Sequence, residues 1–598
     1  MIITKTNKTE GFSLVELIVG IAVFLVIIVA VYNSYMGVFN VVYASRSKIE
    51  AIALINEQLE IARNLPYSEV GLVSGIPTGK LIHSQILNRD SYHYSVTTTI
   101  RNIDDPFDGT IGGTPNDLSP ADFKIVEIEI DCSNCKNFTP MVVTTRVAPK
   151  NLETASTNGA LFIRVFDASG NPVSDANVHI ENNNVNPPIV IDDVTNLNGM
   201  LQIVDAVPGI NSYEITVTKP NFSTDETKEI TAENPNPTKP HATIVLQQVT
   251  QLSFIIDRLS IFNISSVTNT CDPVSSFDFS LQGSKLIGTD PDVLKYDENK
   301  VTSGAGELTL SNMEWDTYTF TGIDATHNVV GTNPLLPTSI TPGSTQDVKI
   351  IVEPKDPNTL LVIVKDGVAG LPLSDVSVTL TKTGFSANGI TGRGFLGQTD
   401  WSLGSGQATS TDLSMYFSSD GNIENQNPVG DVLLKKIFDD YVPSGNLTSS
   451  SFDTGATSNF QQINWNPIDQ PVSTGNPNVR IQIATNSDGG VWNFTGPDGT
   501  ASTYYTNADR NIFSGNNGNR YLRYKLYLDS AVTTATPNIS DIFFTFTTSC
   551  TPPGQISFSG LSSGTYSLHL EKSGYVTQDV SVPVSVSWVS KEIVFVPI

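Results

Sequence analysis

One carboxylate at the mouth of an apolar run constrains this chain more than any other feature. Lys5 and Lys8 precede Glu10-Gly11-Phe12-Ser13-Leu14-Val15-Glu16-Leu17, and residues 17–31 are apolar without a break. With Leu14 and Val15 included, the stretch 14–32 is about long enough to span a bilayer. The lysines before it stay cytoplasmic by the positive-inside rule, which puts the bulk of the chain outside. A secretory signal would end in small residues of the A-x-A kind, whereas this run passes into Val31-Tyr32-Asn33-Ser34-Tyr35. Glu16 is the costly residue. A carboxylate inside an apolar helix costs about 2.5–3.5 kcal/mol and needs a partner. No Lys or Arg lies within a turn or two of it on the apolar side. Cutting after Gly11 supplies one, the new amino group of Phe12, roughly 6 Å away along a helix.

The segment Gly11-Phe12-Ser13-Leu14-Val15-Glu16-Leu17 resembles the N-termini of type IV pilins and pseudopilins. That resemblance implies cleavage by a prepilin peptidase after Gly11, N-methylation of Phe12, and pairing of Glu16 with the terminal amine of a neighbouring subunit. Residues 1–11 are then a leader and 12–65 one long helix, transmembrane over 14–32. Beyond Arg46 the residues Ile49, Ile52, Ile55, Leu59 and Ala62 recur at three- and four-residue spacing, an amphipathic pattern, until Pro66 breaks it.

Residues 66–150 read as a pilin-like α+β head, with strands expected over 92–100, 125–130 and 141–147. Asp104, Asp105, Asp108, Asp117 and Asp122 crowd the connection between the first two. Hard cations want six to eight oxygens, which such a loop supplies, although the spacing is not that of an EF-hand. Some pseudopilins hold calcium in this part of the head. Calcium is therefore the candidate cofactor, against the plainer reading of solvated turn carboxylates, and no other cofactor is expected. Cys132 and Cys135 lack a second CxxC for structural zinc and lack a thioredoxin-like strand-to-helix context, which favours a local disulfide. Whether Cys271 pairs with Cys550 is left open by their distance in sequence.

After residue 150, short alternating runs separated by Gly, Pro, Asn and Asp mark β-sandwiches. A unit repeats: Leu161-Phe162-Ile163-Arg164-Val165-Phe166-Asp167 leading to Pro172, and Leu360-Leu361-Val362-Ile363-Val364-Lys365-Asp366 leading to Pro372. Its second half recurs as Asn198-Gly199 with Leu201-Gln202-Ile203, and as Gly554-Gln555-Ile556. The unit resembles the carboxypeptidase regulatory-like and collagen-adhesin B-type domains, which are transthyretin-like sandwiches without a peptidase centre. Some relatives carry a Lys–Asn isopeptide bond. Lys365 matches the lysine strand, but Lys591-Glu592-Ile593-Val594-Phe595 offers no Asn, which argues against the bond here. The expected order is a sandwich at 158–248, a second at 250–355, and a third built from 356–393 plus 551–598. Too many residues separate the halves of the third for a loop, so 394–550 reads as an inserted domain, distantly like a discoidin-type jelly roll. Trp492, Tyr504 and Tyr505 lie among its polar turns as candidates for stacking on sugar rings, against the plainer reading of core aromatics.

Thirty-four Lys+Arg face 60 Asp+Glu, a formal charge of -26, which is the wrong footprint for nucleic acid. The histidines (His83, His93, His179, His241, His327 and His569) show no ligand spacing, and no P-loop, G-x-G-x-x-G or G-x-S-x-G motif accompanies them. No enzyme is expected. The expected fold is mainly β and multidomain: a long N-terminal helix with a pilin-like head, then immunoglobulin- or transthyretin-like sandwiches, one carrying the insert. The function that follows is a surface-exposed, single-pass minor pilin-like protein at the cell surface, at a pilus or pseudopilus tip. Two alternatives are a pseudopilin of a secretion or DNA-uptake system and a glycan-binding protein that uses the pilin leader as anchor. Partners are then prepilin peptidase, other pilin or pseudopilin subunits, the membrane, and a surface or glycan ligand.

Overall fold

The computed structural model describes residues 13–150, 155–356, 358–403, 417–585 and 588–598. The protein is mainly β, with one long N-terminal helix. It divides into two compact units, Met1–Arg258 with Leu286–Val293, and Leu259–Lys285 with Leu294–Ile598.

In the first unit, helix α1 (Leu14–Asn64) ends where Leu65 turns extended ahead of Pro66. Its second half lies on an antiparallel sheet of β1 (Ser84–Arg89), β2 (Tyr92–Ile103), β3 (Phe123–Cys132) and β4 (Met141–Val147), in that spatial order. The shared core joins Ala51, Leu54, Ile55, Leu59 and Ala62 to Tyr94, Val96, Val126, Ile128 and Ile130. Ile49 and Ile52, expected on the buried stripe, are 66% and 47% exposed. The face that docks is rotated toward Ser47 and Ala51, whose small side chains let the sheet approach, and Tyr94 donates its hydroxyl to the Ser47 carbonyl at 2.8 Å.

A sandwich follows in the same unit. Val249–Ile255, Gly159–Phe166 and Met200–Ala206 form one sheet; Asp225–Glu226, Gly209–Thr218, Asn177–Asn182 and Ile189–Val194 form the other. Leu161, Ile163 and Val165 point inward at period two onto Val178, Ile180, Ile215 and Val217. The boundary expected near residue 249 is corrected here. Val249–Ile255 pairs in parallel with Gly159–Phe166 from Val249↔Ala160 to Ile255↔Phe166, so it closes the first sandwich, and the unit runs on to Arg258.

The second unit opens with a sandwich whose sheets centre on Ser260–Val267 and on Asp278–Gly283. Phe262 meets Tyr318 and Phe320 edge-to-face in its core, at 5.3 and 5.7 Å. The next sandwich is discontinuous in sequence. Leu360–Asp366 pairs with Gln555–Phe558 and Val589–Phe595, facing a sheet of Phe385–Ile390, Ser377–Lys382, Gly564–Glu571 and Gln578–Val584. In every sandwich the first strand pairs in parallel with the last.

The chain between Phe385–Ile390 and Gln555–Phe558 forms a separate broad sheet that includes Gly394–Gln398, Asp541–Thr547, Phe452–Asn466, Asn519–Asp529 and Ser444–Ser449. Its core holds Trp401, Trp465, Tyr505, Tyr524 and Phe544. A buried polar line runs through it. Trp401 Nε1 donates to the Tyr524 hydroxyl, which donates to Gln398 Oε1, at 3.1 and 2.7 Å. Cys271 and Cys550 form a disulfide within this unit, with Cα atoms 5.5 Å apart.

Candidate functional site

Gly11 and Phe12, the expected processing residues, lie outside the described residues. Glu16 does not, and its surroundings modify the expectation that it lacks a local partner. Ser13 is the N-cap of α1, and its hydroxyl accepts from Glu16 N at 3.2 Å. The Glu16 carboxylate in return accepts from Ser13 N and Ser13 Oγ, at 3.1 and 3.2 Å. This is a capping box at the positive end of a helix dipole. The S-x-x-E spacing of Ser13 and Glu16 is the sequence signal for it. These donors are neutral, so they solvate the carboxylate without cancelling its charge.

From Leu14 to Tyr43, α1 leaves nearly all its large apolar side chains exposed, and from Ser47 to Ala62 it buries one face. It is the one helix among the described residues long and apolar enough to cross a membrane.

In the head, the loop between β2 and β3 brings together three of the five expected acids. Ligand oxygens of Asp104, Asp117 and Asp122 lie within 4.8 Å of one another. Asp105 instead accepts from Phe107 N through its side chain at 3.2 Å and donates its own N–H to the Asp122 carboxylate. Asp108 is exposed. Burial pushes the Asp104 carboxyl up, the Ile111 N–H opposes, and the nearby acids push it further up. Asp104 Oδ1 and Asp117 Oδ2 are buried without a protein donor. Carboxylates left in that state fit a hard divalent cation.

Two further groups brace the head. Cys132 and Cys135 form a disulfide at the end of β3. Lys124, 5% exposed, donates through Nζ to the carbonyls of Tyr67 and Val70 at 2.9 and 2.6 Å. Burial lowers its pKa to about 8 against the opposing charge of Asp205.

The aromatic candidates separate. Tyr505 is 1% exposed and its hydroxyl accepts from Phe513 N at 2.9 Å, so it fills the core and offers no ring to a sugar, a correction to the expectation. Trp492 and Tyr504 are half-buried. The Arg523 guanidinium lies 5.2 Å from the Trp492 ring, and Tyr504 meets Tyr527 edge-to-face at 5.3 Å. Lys365, the strand lysine of the repeat, is ion-paired with Glu592 at 2.7 Å. Among the histidines, His179 contacts Asp192 and Glu181, and His569 contacts Asp579.

Residues 6–32 match the family described as the prokaryotic N-terminal methylation motif. The chain opens with a prepilin-type methylation motif. With the long apolar helix, that motif fits a single-pass membrane anchor carrying an extracellular, pilin-like surface protein. No curated protein matches the sequence. Among solved structures, the Bacillus anthracis TIE protein is similar at 8% identity, over 85% of this chain and 72% of its own, with a TM-score of 0.15. The shaft pilin SpaA of Lactobacillus rhamnosus GG is similar at 11% identity over 33% of this chain and 98% of its own, with a TM-score of 0.13. GBS52, the minor pilin of Streptococcus agalactiae, is similar at 14% over 33% and 96%, with a TM-score of 0.17. Likenesses at such TM-scores carry no argument about this chain.

Proposed function

We propose that this is a minor type IV pilin-like protein. On this reading it is cut by a prepilin peptidase after Gly11, methylated at Phe12, and held through α1 in the membrane or a filament. Its β-domains project outward as adhesive or recognition modules. The division of α1 carries the reading. Its exposed apolar half, residues 14–43, is about 45 Å long at 1.5 Å per residue. A bilayer core is about 30 Å thick, so apolar helix remains over for packing against the helices of neighbouring subunits. Glu16, solvated only by neutral donors, is the group to which a neighbour's terminal amine adds a countercharge. The bulk of three sandwiches and an insert beyond the head suits an occasional or capping position better than every position of a close-packed filament.

The three-carboxylate loop adds a calcium site held by Asp104, Asp117 and Asp122, whose two undonated oxygens support it. There the cation would neutralise the loop and tie β2 to β3. A calcium titration followed by thermal melting tests this part; no upward shift of the head's transition removes it.

A second reading, recognition of a glycan by the inserted domain, is favoured by the half-buried rings of Trp492 and Tyr504. Assembly is tested with Glu16→Leu. The variant is expected to insert in the membrane at normal levels and to be lost from sheared surface fibres. Fibre incorporation equal to the parent's ends the assembly reading. Loss of exported hydrolases, with fibres unchanged, points to a secretion pseudopilin.

A further inference from the structure

Two inner strands and one disulfide join the second sandwich to the inserted domain. Ser260–Val267 begins just after Arg258 and lies between Glu307–Met313 and Thr345–Pro354. A tight turn follows it, closed by Thr268 N donating to the Asp272 carbonyl at 2.9 Å and Cys271 N to the Thr268 carbonyl at 3.0 Å. Across the bond, Cys550 closely follows Asp541–Thr547. That strand lies between Gly394–Gln398 and Phe452–Asn466 and sends Ile542, Phe544 and Phe546 into the insert's core. The junction is well packed. Cys550 is buried with Val267, Val330 and Ile351, and Ser549 accepts from the Lys349 ammonium at 2.7 Å and the Asn333 amide at 3.2 Å.

The insert's two chain links to the third sandwich are of another kind. Each enters on an edge strand, Phe385–Ile390 before the insert and Gln555–Phe558 after it. Phe385–Ile390 is one arm of a hairpin, paired from Lys382↔Phe385 to Ser377↔Ile390. Tension at Ile390 therefore opens the ladder at its free end, one pair at a time. Gln555–Phe558 is paired only from Ile363↔Gln555 to Leu360↔Phe558, and tension at Gln555 meets that ladder at its end in the same way. A strand pulled along its own axis behaves differently. An extended chain at about 3.3 Å per residue has little length left to give. Ser260–Val267 thus passes tension along its covalent backbone without parting from its neighbours.

We propose that the Cys271–Cys550 bond carries tension from the inserted domain straight into Ser260–Val267, leaving the third sandwich outside the load path. The third sandwich then keeps its fold while the insert holds a ligand, because its two edge strands are not peeled. This rests on the recognition reading above for where tension enters, and adds how the chain withstands it.

The test is single-molecule stretching of the full-length protein in detergent micelles, with DNA handles on azide-bearing residues placed at the exposed Ser169 and Ser487. No ligand is present, so the result stands apart from the recognition reading. The bond takes about 150 residues out of the path between the handles, roughly 50 nm of chain. The unaltered protein is expected to stop short of its full contour by that length, and dithiothreitol added after unfolding should release it. Thr391→Val, which weakens the third sandwich, should leave the unfolding forces of the bonded protein unchanged. In Cys271→Ser with Cys550→Ser an added unfolding event is expected, and Thr391→Val should lower its force. A force lowered by Thr391→Val while the bond is intact overturns the proposal, because the third sandwich then shares the load. Full extension without reductant overturns it as well, since the bond is then absent from the path. Both of these readouts keep the two cysteines, so a serine variant that folds poorly does not decide the matter.

Discussion

The first and third sandwiches are built on the same hydrogen bonds, although one is continuous and the other is interrupted by a whole domain. In the first, Thr195 Oγ1 donates to the Val173 carbonyl and accepts from Ala176 N. In the third, Thr391 Oγ1 donates to Leu373 and accepts from Val376 N. Lys219 reaches the Ser174 carbonyl, and Lys572 reaches that of Ser374. Gly199 and Gly554 both take positive φ, +66° and +65°, where a Cβ would meet the Val165 and Val364 carbonyl oxygens at 2.6 and 2.8 Å. Around these shared bonds, the link between Thr and Gly differs. It is a short turn after Thr195 and the inserted domain after Thr391. The insert's two ends stay close, since Gly392 N donates to the Gln555 carbonyl at 3.0 Å. The lesson is that a hairpin turn whose flanks are bonded to each other accepts a domain while these bonds of the sandwich beneath it are kept.

The largest expected effect comes from the feature that the first sandwich lacks. The Cys271–Cys550 disulfide, spanning 279 residues, ties the insert's exit to the second sandwich. Its replacement by two serines should lower the stability of the second unit by about 3–5 kcal/mol, read by urea unfolding, and leave the transition of the first sandwich in place. Next, Thr195→Val and Thr391→Val each strand a buried N–H and a carbonyl and should cost about 1–3 kcal/mol. Equal losses sustain the equivalence of the two sandwiches, and a loss confined to one breaks it.

The head tests the lysine motif in a drier setting. Lys219 and Lys572 are half-exposed, whereas Lys124 is buried with its folded pKa lowered to about 8 from 10.5. Between those values the unfolded chain holds the proton that the folded head has released, so stability should rise with pH, by of order 1 kcal/mol. Thermal melts from pH 8 to 10 should show this rise, and Lys124→Met should flatten it. The smallest effect is expected from replacing residues 394–547 by Asn-Leu-Asn, the turn of the first sandwich. Because the ends already meet, the third sandwich should change by less than about 1 kcal/mol, measured by its unfolding midpoint. Failure of that variant to fold would mean that the insert supports its host.

Periodicity and punctuation carried much of this into the sequence. Pro66 ends α1, the strand Met141–Val147 has the bounds its alternation implies, and the repeat of Leu161 to Pro172 in Leu360 to Pro372 is readable by eye. What stayed hidden depends on partners remote in sequence. Val249–Ile255 alternates like the opening of a new domain, and only its parallel pairing with Gly159–Phe166 assigns it to the old one. Cys271 and Cys550 meet through tertiary structure alone. Ile49 and Ile52 fit a helical stripe, yet the sheet docks on the smaller residues beside them. Tyr505 and Tyr504 are adjacent and point to opposite environments, a one-residue distinction that composition does not carry. In the candidate site, the acids that converge are the three that the fold of the loop turns inward, and spacing alone did not separate them from Asp105 and Asp108.

The proposed assembly role of Glu16 turns on cleavage just ahead of the Ser13–Glu16 capping box. N-terminal mass spectrometry of the membrane-extracted protein addresses that directly. The account predicts a mature terminus of N-methylated Phe12; an intact Met1, or a terminus beyond Val31, would contradict it.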